Sequence, residues 1–149
     1  MVSCRRSLIA VLFITFFSAA AGAQTAAGRI KSASGAVFVV RKNATVPAQA
    51  GQTLLEADTL RTGPDGRAGV TLRDETRIAI GPNSEVRLDQ FLYSPGQGRL
   101  GFAMRIARGV VAYVSGRIAK LAPESVRLET PSAILGVRGT KLIIRVETP

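Results

Sequence analysis

Apolar and polar residues alternate with a period of two along most of the chain after residue 24. In one stretch Ala68, Val70 and Leu72 share one parity, while Arg67 and Thr71 take the other. Further alternating runs are centred on Phe38, Ile78, Val86, Met104, Leu128 and Ile144. Such short runs, separated by Gly, Pro, Asn and Asp, are typical of half-buried antiparallel strands. The pattern predicts an all-β single domain of short antiparallel strands, arranged as a twisted sandwich or an irregular β-solenoid.

One segment departs from this alternation. Residues 109–114 read Gly-Val-Val-Ala-Tyr-Val and are apolar on both parities. A strand in the middle of a sheet, covered on both faces, has this composition. We therefore expect a central strand that is buried on both sides.

The first residues have the order of a secretory signal peptide. Arg5 and Arg6 precede a short apolar run over 8–17, and Ala21-Gly22-Ala23 provides a small-residue cleavage site. The run is shorter than the about 20 apolar residues that a membrane-spanning helix needs, although an uncleaved anchor is the alternative. We expect a signal peptide over 1–23, a lead over 24–29 and a β domain over 30–149. The protein is then periplasmic or secreted, with no stable transmembrane anchor after cleavage.

The composition argues against catalysis. The chain has no His and no Trp, and its single Cys, Cys4, lies within the predicted signal peptide. The mature chain therefore offers no thiol nucleophile, no Ser–His pair, no Cys/His zinc site and no disulfide. We expect no catalytic residue, no metal site and no cofactor, and hence a protein that is not an enzyme.

Positive charge is the feature that bears most on partners. The whole chain carries a formal net charge of +10 at pH 7. Export removes nucleic acid as a partner, so anionic lipids and acidic glycans of the envelope become the candidates. The candidate binding patch consists of the outward arginines Arg67, Arg73, Arg77 and Arg87. We expect instead a polar surface in which these arginines form ion pairs with Glu75, Glu85 and Asp89, and binding by the patch is the alternative.

Three segments together resemble the FecR domain family. They are 130–140 (Thr-Pro-Ser-Ala-Ile-Leu-Gly-Val-Arg-Gly-Thr), 58–63 (Asp-Thr-Leu-Arg-Thr-Gly) and 80–84 (Ile-Gly-Pro-Asn-Ser). The resemblance covers about residues 30–146 and includes the opening strand at 35–39. The family motif residues, which we interpret as structural, are Asp58, Thr62, Asn83, Thr130, Pro131, Gly136, Arg138, Gly139 and Thr140.

The chain departs from the family pattern in two turns and at its end. Relatives usually carry Gly where this chain has Ala57, and Asp-Gly-Ser where it has Asp74-Glu75-Thr76. Because a glycine there supplies a positive φ, we expect the second turn to be of another type in this chain. Many relatives also continue into a further strand, so we expect the closing sheet edge to be incomplete.

Arg138 lies between Gly136 and Gly139 and has two interpretations. It can clamp a carboxylate or phosphate of a partner. Alternatively, the glycines form a bend, at least one of them in a conformation closed to other residues, and Arg138 bonds internally. We expect the second arrangement.

The resemblance also implies a class of function. The best-known FecR proteins resemble anti-sigma regulators, with a cytoplasmic region, a transmembrane helix and this domain in the periplasm. Other relatives are free-standing exported proteins, and the predicted signal peptide places this chain with them. We expect a periplasmic protein-interaction or regulatory accessory that binds another envelope protein. The alternatives are arginine-mediated binding to an anionic envelope glycan or lipid, and a structural role in an envelope assembly.

Overall fold

The computed structural model describes residues 25–147. The predicted signal peptide lies outside these residues. Within them the chain forms twelve strands joined into one sheet, and one short helix, α1 (Arg117–Leu121). The strands are β1 (Ala26–Ser34), β2 (Val37–Arg41), β3 (Ala44–Pro47), β4 (Thr53–Leu55), β5 (Thr59–Thr62), β6 (Arg67–Leu72), β7 (Arg77–Ile80), β8 (Glu85–Ser94), β9 (Arg99–Val114), β10 (Val126–Glu129), β11 (Ile134–Gly136) and β12 (Lys141–Val146). No helix among the described residues has the length and hydropathy needed to cross a membrane.

The sheet curls into two halves that share the long strand β9. In the β12 half the strand order is β4-β1-β6-β7-β9-β12, and the second part of β9 takes part. In the β8 half the order is β3-β2-β5-β8-β9-β10-β11, and the first part of β9 takes part. All neighbours are antiparallel except β9 and β10, which run parallel.

Gly109 lies where β9 passes from one half to the other. Its φ is +96°, a conformation that residues with a Cβ rarely adopt. A Cβ placed there would lie 2.0 Å from the Ser84 hydroxyl oxygen, which accepts a hydrogen bond from the Val110 N–H at 3.1 Å. The glycine therefore lets one strand serve both halves while the β7–β8 turn packs against the bend.

A single core lies between the halves. The side chains predicted to face inward are buried in both, among them Val70 and Ile78 from one half and Val86 and Leu88 from the other. At the bend, the rings of Phe102 and Tyr113 stack with centroids 5.9 Å apart. The all-β prediction is confirmed, and because the halves enclose one common core, the sandwich is the better description of the two alternatives.

Two expectations about individual strands are wrong. Strand β9 is 16 residues long rather than short, and only Val111 and Tyr113 of its second part are fully buried. Val110, Ala112 and Val114 are half-exposed on the outer surface, so this strand is central but not covered on both faces. The predicted lead over 24–29 differs as well, because β1 begins at Ala26.

The predicted change of turn type at residues 74–76 is also wrong. Glu75 has φ +70° and takes up the left-handed conformation itself. Ala57, the other position where relatives usually have Gly, has φ +71°. Each turn therefore holds a residue with a Cβ in a conformation that costs such residues about 1–2 kcal/mol. Both turns therefore adopt a left-handed conformation without a glycine.

Candidate functional site: an uncompensated basic face

The outer faces of the two halves of the sheet both carry arginines but differ in their acidic residues. On the β8 half, four outward arginines of β5, β8 and β9 have an acidic partner close by, whereas the exposed Arg99 and Arg127 have none among the described residues. The ion pairs join Arg61 to Glu85 (3.2 Å), Arg108 to Glu85 (3.8 Å), Arg87 to Asp89 (2.9 Å), Arg105 to Asp89 (3.4 Å) and Arg105 to Glu129 (3.3 Å). Because neighbouring strands place acids beside arginines, this face is largely neutralised.

The outer face of the β12 half carries cations without acids. Direct cross-strand pairing puts Arg29 opposite Thr71, Thr71 opposite Arg77, Arg77 opposite Val114, and Val114 opposite Lys141. A second row across the same strands includes Arg67 and Arg145. We call the surface formed by Arg29, Arg67, Arg77, Lys141 and Arg145 the basic face. All these side chains are exposed, and none has an ion-pair partner within residues 25–147.

Small and apolar residues fill the row between these cations. Gly69 lies opposite Ala79, Ala79 opposite Ala112, and Ala112 opposite Ile143. Short side chains leave a shallow, mainly apolar groove across the strands, flanked on both sides by cations. At the end of the row the Ile143 side chain is 70% exposed. Ile143 adds exposed apolar surface between Lys141 and Arg145 on this face.

Strand β12 forms the free edge of this half, since β9 is its only neighbour among the described strands. The Ser115 N–H donates to the Thr140 carbonyl at 2.9 Å. In an antiparallel ladder the backbone groups of alternate residues point to the same neighbour, so residues of the same parity as Thr140 bond to β9. The N–H and C=O groups of Lys141, Ile143 and Arg145 therefore point away from the sheet.

The structure divides the predicted arginine patch. Arg67 and Arg77 lie together on the basic face. Arg87 lies on the opposite half, where Asp89 pairs with it, and is therefore wrongly grouped with them. Arg73 lies in the β6–β7 turn, where its guanidinium donates to the Ala26 carbonyl at 3.3 Å and lines a cleft beside Tyr93.

Of the four arginines of the predicted patch, only Arg87 forms the expected ion pair, with Asp89. Glu75 pairs with Arg117 at 3.3 Å, and its hydrogen bonds raise the pKa of that arginine. Glu85 and Asp89 form their ion pairs with arginines of the β8 half. Arg67 and Arg77 are left without an acidic partner, although the sequence places acids within a few positions of both.

Sequence reasoning missed the rest of the basic face. Lys141 and Arg145 alternate with Leu142, Ile144 and Val146, so their outward parity was readable from the sequence. The sequence does not show that β9 lies between β7 and β12 in the sheet. This strand order places Lys141 and Arg145 on the same face as Arg77. Arg29 was missed because β1 was taken in part for a lead.

Asp58, the first motif residue, holds strands together in the β8 half. Its carboxylate is 2% exposed and accepts two hydrogen bonds from the Arg41 guanidinium, at 2.6 and 2.8 Å. It also accepts the Leu55 N–H at 2.8 Å. The hydrogen bond to Asp58 raises the pKa of Arg41. These contacts give Asp58 a structural role.

Thr62 and Asn83 organise the β7–β8 turn. The buried Thr62 hydroxyl donates to the Gly81 carbonyl at 2.7 Å and accepts the Ser84 N–H at 2.9 Å. Asn83 has φ +51°, and its N–H donates to the Gly63 carbonyl at 3.0 Å. Thr62 thus closes the turn from the neighbouring strand, while Asn83 supplies its left-handed residue.

Thr130 and Pro131 begin the turn between β10 and β11. The Thr130 N–H donates to the Ala133 carbonyl at 2.8 Å, and its hydroxyl accepts the Ala133 N–H at 3.1 Å. Pro131 is exposed and lies two positions after Glu129, the last residue of β10. A proline can occupy this place because no ladder hydrogen bond needs its nitrogen.

The segment leading into β12 contains a bend at only one of its glycines. Gly139 has φ +132°, whereas a side chain at Gly136 would meet open space. Val137 is buried and anchors the segment, and the Ser115 hydroxyl donates to the Gly139 carbonyl at 2.7 Å. Thr140 contributes its carbonyl to the ladder with β9.

The expected internal bonding of Arg138 is wrong. Its side chain is exposed and makes no hydrogen bond or ion pair with any residue of the described range. It lines an open cleft together with Glu124 and Leu142, just ahead of β12. Arg138 therefore adds a further cation beside the free edge.

Asp74 is a buried carboxylate that sequence reasoning assigned only to a turn. It is 1% exposed and accepts the Thr76 hydroxyl at 2.7 Å and the Ile118 N–H at 3.3 Å. Its backbone carbonyl accepts the Arg117 N–H at 2.7 Å. Asp74 thus fixes the start of α1 against the β6–β7 turn, a contact between positions that only the folded chain brings together.

These buried groups are engaged in structure and offer little for chemistry. The enclosed space at the centre is lined by aliphatic side chains and Asp58, whose carboxylate is already bonded. Within residues 25–147, no group of three or more His, Cys, Asp or Glu side chains is placed to hold a metal ion. The basic face and its free edge are therefore the best candidate for a functional site.

Comparison with known proteins adds one finding. The family model of the FecR protein matches residues 58–149, which is more than half of the chain and includes β5 to β12. No curated protein and no solved structure matches the chain. The match begins at Asp58, so the opening strand at residues 35–39 lies outside it.

Proposed function

We propose that this chain, which belongs to the FecR family, is an exported binding module of the cell envelope that recognises another protein through its basic face. The observation that carries the proposal is the contrast between the two outer faces. Four arginines on the β8 half form ion pairs within the domain, whereas the five cations of the basic face have no acidic partner among the described residues. A face of this kind has charge and apolar surface available to a partner.

The kind of surface supports a protein partner over a simple polyanion. The groove beside Arg67 is mainly apolar, and the exposed Ile143 lies in the same cross-strand row as Ala79 and Ala112. Burial of apolar surface favours protein association, a contribution that a phosphate- or sugar-rich chain does not use in the same way. Regulatory or signalling accessory function, the role suggested by FecR membership, requires such a partner and no catalysis.

Binding to an anionic glycan or lipid is the second candidate, and it is favoured by the absence of acids from the basic face. The two candidates differ in their dependence on salt. Exposed charges are screened over about 8 Å at physiological ionic strength, so a complex held by charge alone weakens steeply as salt is added. A complex that also buries the apolar groove retains most of its affinity. A structural role in an envelope assembly is the third candidate.

Capture of partners from envelope extracts tests the proposal. The mature protein, crosslinked in extracts and analysed by mass spectrometry, should retain specific proteins at physiological salt. The Arg67→Ala, Arg77→Ala double variant should lose them. A double variant with Arg61→Ala and Arg87→Ala, matched in charge but on the opposite half, should keep them. Equal capture by both double variants contradicts a role for the basic face, and capture of polyanions alone favours the second candidate.

Export is tested separately by the N-terminus of the protein recovered from cells. We expect it to begin at or near Gln24, because Ala21-Gly22-Ala23 precedes that position. Envelope-located protein that still begins with Met1 contradicts cleavage and indicates an anchored form.

A further inference from the structure

We infer that the free edge of β12 binds an extended acidic segment of the partner, which joins the sheet as an additional strand. The inference rests on the proposed function and names the chemistry of the partner. Its starting point is the outward orientation of the N–H and C=O groups of Lys141, Ile143 and Arg145, which have no hydrogen-bonding strand within the described structure. Strand addition uses such groups for affinity and the alternate side chains for specificity.

The other free edges of the described sheet are less suited to accept a strand. Strands β4 and β11 contain three residues each. Strand β3 has four residues and ends at Pro47, which has no N–H to donate. Residues Lys42 and Asn43 before it adopt φ of +46° and +66°, which interrupts any extended pairing there. With six residues, β12 offers the longest ladder.

The side chains of β12 define the sequence that would fit. Lys141, Ile143 and Arg145 point to the basic face, while Leu142, Ile144 and Val146 point to the core side. On an added strand the residues opposite Lys141 and Arg145 are separated by three positions and should be acidic. The residues between them lie opposite Ile143 or beside the core-side chains and should be apolar. The expected pattern, acid-apolar-apolar-apolar-acid, reads the same in parallel and antiparallel orientation.

The same charges disfavour a second copy of this chain as the occupant. Antiparallel pairing of two β12 strands about Ile143 places Lys141 of one copy opposite Arg145 of the other, and like charges directly opposite are destabilising. Arg77 and Arg138 add positive charge on either side of the edge. One acidic residue, Glu147, directly follows the last residue of β12. Cationic edge residues protect natural sheets against self-association. An acidic strand can still pair with such an edge, because its charges are opposite to those of the edge.

A peptide titration tests the inference without knowledge of the natural partner. The probe is the fluorescein-labelled peptide Ser-Thr-Glu-Val-Val-Val-Glu-Thr-Ser, measured by fluorescence anisotropy against the mature protein. One control replaces the central Val by Pro, which keeps the charge but removes the N–H that pairs with Ile143. A second control replaces both Glu residues by Lys. We expect the probe to bind at least about tenfold more tightly than either control.

Variants of β12 locate the binding. Ile143→Pro removes an N–H that points to solvent, and an edge strand tolerates proline in that orientation. It should weaken probe binding at least about tenfold, a change that is readily measured. Ile143→Thr keeps the N–H and should weaken binding less. Hydrogen exchange of the wild-type protein with the probe bound should slow at the amides of residues 141, 143 and 145. Thermal melts check that the variants are folded, and the Pro-containing peptide provides the same test if Ile143→Pro is not.

Several results would overturn the inference. Equal binding of the Val and Pro peptides shows that the face attracts negative charge without strand addition, as a polyanion site would. Protection at amides outside β12 places the binding elsewhere. A dimer that Ile143→Pro dissociates shows that a second copy occupies the edge. If Ile143→Pro still captures the envelope partner, this inference fails while the proposed function stands. If no protein is captured at all, the proposed function fails and the peptide result still decides the role of the edge.

Discussion

The outer faces of the two halves have similar strand patterns and differ in what lies across each strand boundary. On the β8 half, Glu85 lies opposite Arg61 and Asp89 lies within reach of Arg87 and Arg105. On the β12 half, the neighbours of Arg77 across the ladder are Thr71 and Val114. Whether an outward arginine is paired therefore depends on which residues the strand order and register place beside it.

The difference in ion pairing between the two faces matters less for stability than for binding. Exposed ion pairs contribute about 0–1 kcal/mol each, so the paired face gains little stability from its acids. Its acids matter more because they cancel charge that would otherwise attract anions. The basic face has no such cancellation, and its cations remain available to a partner.

The largest expected effect comes from Gly109, which joins the halves and fixes their faces relative to one another. Gly109→Ala should destabilise the protein by about 3 kcal/mol, because it combines backbone strain with a clash against Ser84. Gly96→Ala, in open space, is the matched control. Chemical denaturation measures both. A wild-type midpoint for Gly109→Ala would mean that β9 can pass between the halves without a glycine.

A smaller effect, with the opposite sign, is expected at two of the left-handed residues, Ala57 and Glu75. Ala57→Gly should stabilise the protein by about 1 kcal/mol, since glycine adopts φ +71° without strain. Glu75→Gly should gain less, because it also removes the exposed contact with Arg117. Thermal unfolding of the two variants makes the comparison. Destabilisation by Ala57→Gly would contradict the strain.

The core shared by both halves provides a test with a pH dependence. Tyr113 is 1% exposed, burial raises its pKa above the ordinary 10.0, and its hydroxyl has no hydrogen-bond partner of good geometry in the described residues. A raised pKa means that the neutral form stabilises the fold below about pH 10 and that this contribution is lost as the pH rises through the folded pKa. Tyr113→Phe should change stability at pH 7 by less than about 1 kcal/mol and should reduce the loss at alkaline pH.

That reduction is measured by denaturant unfolding of wild type and Tyr113→Phe between neutral and alkaline pH. Tyr93→Phe, at a partly exposed position, controls for tyrosine ionisation in general. If wild type and Tyr113→Phe lose stability in parallel, then ionisation of Tyr113 is not linked to unfolding.

The smallest change in stability is expected from two substitutions, one that adds an acid to the basic face and one that removes an acid from the β8 half. They are also the most direct test of the comparison between the faces. Thr71→Glu places an acid directly between Arg29 and Arg77 and should stabilise the protein by about 0.5 kcal/mol. Glu85→Gln frees Arg61 and Arg108 on the other half and should destabilise by a similar amount. On a cation-exchange column, the first variant should elute earlier than wild type and the second later.

Net charge alone would shift both variants, so the peptide probe supplies the local control. Thr71→Glu should weaken probe binding, whereas Glu85→Gln, on the opposite half, should leave it unchanged. Equal effects on probe binding would mean that only the total charge of the protein matters.

Much of the fold was predictable because strand parity is local. Ala68, Val70 and Leu72 are buried as expected, and so are Ile78 and Ile80. The candidate site was predictable only in part. Arg67 and Arg77 were identified, but Arg87 was grouped with them although it faces the other way. Asp58 was recognised as a motif residue, while its bond to Arg41 was not, since that partner lies 17 positions earlier.

The sequence by itself determined the class of fold, the inward and outward parity of the strands with clear alternation, such as β6 and β7, and the expectation of export. All three depend on the order of apolar and polar residues within a few neighbouring positions. The tertiary structure decided which arginines are paired with acids and which strand is left with a free edge. It also decided which residues other than glycine adopt a left-handed backbone conformation. Those properties depend on pairs such as Arg61 and Glu85, 24 positions apart, which meet only when strand order and register are set.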